Sequence, residues 1–232
     1  MTNGKIQHWK EKMNDLENII FDEQMFSKSI SLLTDLHSRV HSSEMISHGE
    51  ETIDDILWEG MDDLCFRTLF AGEKVTIAWS IYHIARIEDM TMNLLVSNRD
   101  QVYIEGNWNN RINCPISDTG NSLTTEEIIN LSVQLNMHEL RNYRTMVGRR
   151  TNTIIRELQF SDLNRGIQES DLQRIVDESG VKEDSRWLLD FWGSRDVAGL
   201  LYMPANFHNL HHICESIRLK DIYFKEGKGH VG

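Results

Sequence analysis

The stretch Val75-Thr76-Ile77-Ala78-Trp79-Ser80-Ile81-Tyr82-His83-Ile84-Ala85-Arg86-Ile87-Glu88-Asp89-Met90-Thr91-Met92-Asn93-Leu94-Leu95-Val96 decides how this chain is read. It contains no proline or glycine, and its first half is apolar nearly all round. A helix of that pattern has no face to give to water, so it is expected at the centre of a helical core. His83 lies inside it, with Trp79 four residues before and Ile87 four residues after. A buried imidazole needs partners for its nitrogens. From this helix alone two readings stay open: a core histidine bonded to a neighbouring helix, and a metal ligand on a rigid apolar support.

The chain around it predicts an all-α, single-domain protein. Of its 232 residues 40% are apolar, enough for a core, and only Pro115 and Pro204 interrupt helix formation. No strand alternation and no internal repeat is visible. The net charge of −12 opposes binding to a phosphate backbone, so no nucleic-acid partner is expected. The arginines Arg141, Arg144, Arg149 and Arg150 read as a solvated helix face. Cys65, Cys114 and Cys214 are far apart and form no CxxC, which fits a reducing, cytoplasmic setting. The segment from Met1 to Phe21 is charged throughout and no long apolar run follows. Neither secretion nor a membrane is therefore expected.

Upstream of the central stretch, Ile6 to Ile20 and Met25 to Val40 have helical spacing. His37 and His41 are four apart at the end of the second, and read as structural or surface histidines rather than ligands. Glu51 to Leu69 reads as one helix capped by Thr52, with Asp54, Asp55, Asp62 and Asp63 facing water. Downstream, Ser97 to Ser122 is rich in asparagine and reads as a loop of about 25 residues, too long for an ordinary connection. It is expected to be functional or to cover something, with Tyr103 and Trp108 over the core. Thr124 and Glu127 match a capping box, opening a helix that continues, bent near Gly148, to Leu158. A short helix over Ile167–Glu178 and another over Ser185–Leu201 follow, the latter carrying Trp187 and Trp192 toward the core.

Met203-Pro204-Ala205-Asn206-Phe207-His208-Asn209-Leu210-His211-His212-Ile213-Cys214-Glu215-Ser216-Ile217-Arg218 is the second informative stretch. Pro204 suits a first helical turn. His208 and His212, four apart, point the same way and could share one metal ion. His208 with His211 is a second possible pair. The apolar stripe runs through Phe207, Leu210, Ile213, Cys214 and Ile217. His211 falls nearer to that stripe than His208 or His212, so from the pair alone a surface or half-buried histidine cluster is the plainer reading.

The phrase from Trp79 to Asp89 and the HxxxH pair His208/His212, in that order and separation, resemble the DinB-like (DinB/YfiT) family of four-helix-bundle metalloproteins. The resemblance covers about residues 51–219 and includes a long connection between bundle helices two and three. It implies His83, His208 and His212 as ligands of a divalent metal, zinc or nickel first and iron next. It also implies a metal-dependent reaction on a small molecule, most of all thiol-dependent S-transfer with a low-molecular-weight thiol. A hydrolase, and a non-catalytic stress-response or binding protein with structural histidines, are the alternatives. A homodimer is expected. Tyr82, Arg86, Glu88, Asp89, His211 and Glu215 are near the ligands in sequence and could orient them or meet substrate, though the charged ones also read as surface groups. The chain is longer than is usual for that family. Residues 1–50 are expected as a helical extension, about 160–203 as an insertion and 220–232 as a flexible tail. His37, His41 and His211 leave other ligand sets open.

Overall fold

The computed structural model describes residues 2–45 and 49–227. Those residues are mainly helical and hold no β-strand, in line with the all-α expectation; one isolated bridge joins Gly166 and Asp196. No described helix is long and apolar enough to cross a membrane. Five long helices carry the structure: α1 (Thr2–Ile19), α2 (Phe26–Arg39), α3 (Ile77–Asp89), α4 (Met137–Glu157) and α5 (His208–Gly227). Thr76 caps α3 by accepting from the Trp79 amide at 3.0 Å. The helix then runs on as a π-helix from Met90 to Val96. Every residue from Ile77 to Val96 is buried, as its all-round apolar pattern predicts. Both α4 and α5 pack on α3, α2 packs on α4, and α1 packs on α2.

Several expected boundaries shift, each for a local reason. Residues 51–69 form two short helices, Ile53–Trp58 and Asp63–Arg67, because Gly60 takes a left-handed φ of 66° between them. Thr52 does cap the first, in a capping box with Asp55. Asp54 is not on a solvated face: it is buried and pairs with Arg144 of α4 at 2.5 Å. Arg144 is accordingly no surface arginine. The Thr124/Glu127 capping box is present, but its helix ends at Gln134, and α4 restarts under an Asn136 cap. Gly148 lies within unbroken α4. Residues 185–201 split at Ser194–Asp196 into Trp187–Gly193 and Val197–Tyr202. Trp192 is core, whereas Trp187 is exposed.

Pro204 does not open a helix. The chain is helical from Val197 into α5, and passes Pro204 as a π-helical segment, Met203–Phe207. Proline cannot donate an i→i−4 bond, and a π-turn absorbs the misfit. Asn206 donates to the Leu201 carbonyl at 2.8 Å, and Asn209 to the carbonyls of Pro204 and Ala205 at 3.2 and 3.0 Å. The helix over residues 26–39 packs into the core, with Leu33, Leu36 and His37 fully buried. At the other end α5 reaches Gly227, so residues 220–227 are helix rather than tail. Residues 228–232 lie outside the described residues, as does His48 in the loop expected after His41.

Candidate metal centre

Three imidazoles meet where α5 begins beside the middle of α3. His83, His208 and His212 each offer a ring nitrogen, and these atoms lie within 4.8 Å of one another. The ring centroids are 4.9 Å apart for His83 and His208, 5.1 Å for His83 and His212, and 4.8 Å for His208 and His212. The i,i+4 spacing on α5 turns two rings the same way, and the burial of α3 supplies the third from across the helix pair.

The ring of His83 is fixed on two sides. Its Nδ1–H donates to the Thr119 carbonyl at 2.8 Å, which leaves Nε2 as a lone pair. Trp79 stacks on it at 4.5 Å and 10°, itself donating to the Gly120 carbonyl at 3.1 Å. His212 donates from Nδ1 to Glu215 at 3.2 Å, and this bond holds the Glu215 carboxyl below its ordinary range. The Nδ1 of His208 is buried with no partner. Burial, then the neighbouring His212, pushes His83 down to about 3. Burial and the other rings push His208 well below the usual imidazole range. A neutral imidazole whose outer nitrogen is held, as in His83, is what a metal ion needs from histidine. His83 is enclosed, while His208 and His212 are partly open to solvent.

The long connection covers the site-bearing helix, as its length suggests. It contains two one-turn helices, Val102–Glu105 and Trp108–Arg111, and turns through Asn98, Asn107 and Asn113 at φ near 50°. Tyr103 and Trp108 are buried beneath it. Four consecutive carbonyls, Ser117 to Gly120, accept from Arg86, Tyr82, His83 and Trp79 in turn.

That arrangement reassigns most of the supporting residues. Tyr82 gives its hydroxyl to the Asp118 carbonyl at 2.7 Å and so anchors the connection. Arg86 is not a surface ion pair: it is buried, stacks on Tyr103 at 3.9 Å and binds the Ser117 carbonyl. Asp89 is buried too, accepting from the Tyr143 hydroxyl and the amides of Val102 and Tyr103. Glu215 does orient a candidate ligand. His211 is exposed, outside the apolar stripe, although with His212 and Glu215 it forms a second, open donor group. Cys214 is half-buried and burial raises its thiol, as for inert packing.

Glu88 belongs elsewhere. It is fully buried and meets His37 and His41 of the α2 end, whose rings are likewise buried and not at the surface. This second group is distinct from the three-histidine group. Asn209 and Asn152, which no pattern in the sequence singles out, complete it.

No family model matches this chain, and no curated protein matches it. Among solved structures it is similar to one described as the crystal structure of the conserved protein of locus from Enterococcus faecalis, with a TM-score of 0.54 and 16% identity over 82% of this chain and 95% of that one. At that identity the likeness bears on the fold alone.

Proposed function

We propose that this chain is a DinB-like metal-dependent enzyme. In this reading α2, α3, α4 and α5 form the four-helix bundle, and the long connection links its second and third helices. The observation that carries it is the meeting of His83, His208 and His212 from two helices, with the His83 Nδ1–H committed to the Thr119 carbonyl. Such a donor set fits zinc or nickel, and next iron, with a position left open. A divalent ion there supplies a Lewis acid that lowers the pKa of a thiol or water in that position.

The chain's own part is positioning. Trp79 and Thr119 hold the His83 ring, Glu215 holds that of His212, and the buried wall of α3 excludes water from one side. The partly open edge beside His208 and His212 admits a small substrate. Thiol-dependent S-transfer is the first reaction class, with metal-dependent hydrolysis second. The test is turnover of an electrophilic acceptor by zinc- or nickel-loaded protein, with and without a low-molecular-weight thiol. Thiol-dependent turnover that falls at least about 100-fold in His83→Ala supports transfer. Turnover without thiol favours hydrolysis, and turnover unchanged in His83→Ala overturns the reading.

A further inference from the structure

We propose that His37, His41 and Glu88 form a second, wholly buried divalent-metal site. It does not depend on the three-histidine reading. The argument starts from a chain of hydrogen bonds that fixes one tautomer. The Ser38 hydroxyl donates to the Thr34 carbonyl at 2.8 Å. Its oxygen is then left to accept from the Asn152 amide, at 3.0 Å. That turns the Asn152 Oδ1 toward His37, so the His37 Nδ1, 2.8 Å away, carries the proton. In the neutral ring His37 Nε2 is therefore a bare lone pair, and it points at Glu88 Oε1 from 2.8 Å.

A lone pair faces a carboxylate oxygen at that distance only where the two share a proton or both bind one metal ion. Asn209 donates to the other oxygen, Oε2, at 2.8 Å, which keeps that side of Glu88 an acceptor. His41 Nε2 lies 3.0 Å from the same Oε2, and the two rings are 4.4 Å apart. Two imidazoles and both oxygens of one carboxylate thus converge on one point, with all three residues wholly buried. Two histidines with a glutamate are a donor set that zinc takes. The amide of Asn152 behind His37 is the outer partner that ligating histidines characteristically have. Backbone space is reserved for the cluster as well: a Cβ at Gly148 would stand 2.6 Å from His41 Nδ1.

The competing cation is a proton, giving a His37 imidazolium paired with Glu88. The two differ in what can be counted. A metal ion enclosed at 0% exposure enters during folding and leaves only on unfolding, unlike one beside the partly open His208 and His212. The test is the variant lacking His83, His208 and His212 (each →Ala), refolded with Zn²⁺ and dialysed against a chelator. Elemental analysis is expected to find about one zinc per chain, released on adding denaturant. No zinc in that folded variant, with the His37 ring doubly protonated by nitrogen-15 NMR, overturns the proposal. Because the second site's own residues are untouched, a misfolded His37 variant cannot confuse the outcome. Zinc lost from this variant but bound by the wild type would sink the second site and leave the first standing.

Discussion

The two histidine clusters lie along one helix, and the same two elements serve both. On α3, His83 turns to one and Glu88 to the other; on α5, His208 and Asn209 do the same. Their chemistry differs. The first joins three rings with no carboxylate in the donor set, is partly open, and leans on a backbone carbonyl. The second closes around a carboxylate and is fully buried. An open cluster can exchange its occupant and meet substrate. A closed one couples whatever it holds to the folded state.

The comparison breaks most visibly if Glu88 is removed. Glu88→Ala leaves two buried rings facing an unfilled space, and stability should fall by about 3–5 kcal/mol. His212→Ala, in the half-open cluster, should cost about 1 kcal/mol or less. Urea unfolding of the metal-free proteins compares the two, and equal losses would mean that the clusters are energetically alike. Gly148→Ala should come next. Its Cβ would meet the His41 ring, which Glu88 holds, at about 1–3 kcal/mol of overpacking, partly offset by about 1 kcal/mol of helix propensity. A stabilised Gly148→Ala would show that the ring is free to move.

Acid sharpens the comparison from the other side. Burial pushes both His41 and His83 down to about 3 in the folded chain, against about 6.5 when unfolded. Both are neutral when folded, so below pH ~6.5 unfolding takes up protons. Their contribution is full above that pH and is lost as pH falls toward 3, at about 1.4 kcal/mol per pH unit for each ring. Because His208 is held down as well, His83→Ala should cut the slope by about a third in the metal-free protein, as read from unfolding free energies between pH 6 and 4.5. The smallest effect is expected for Glu215→Gln. Stability should move by about 0.5 kcal/mol or less, while zinc affinity at the open cluster weakens by about tenfold in a calorimetric titration.

Much of this was legible in the sequence. The all-round apolar run from Ile77 implied a buried α3, and the length of Ser97–Ser122 implied a covering role. The HxxxH spacing brought His208 and His212 together, and the family resemblance pointed to His83 as their partner. What stayed hidden depended on distant pairs. Asn152 and Gly148 meet α2 only through packing, and no local pattern marks them. Arg86, Glu88 and Asp89 were readable in principle: on a helix with no solvent face, a charge must be paired inside. A helix buried on every side leaves them no surface position. The broken helices also left a trace, since Gly60 and the Gly193-Ser194-Arg195-Asp196 run each mark the break that follows. His211 lies open, whereas His208 and His212 are partly covered because Trp79 and His83 of α3 pack on their side of α5, which the apolar stripe does not mark.

The most direct measurement is elemental analysis of chelator-treated protein reloaded with Zn²⁺, wild type beside His83→Ala, both checked for native helix content by circular dichroism. The account predicts one chelator-removable zinc per chain in the wild type, absent from the variant. The same removable zinc in both proteins would contradict it, because His83 could then be no part of the site.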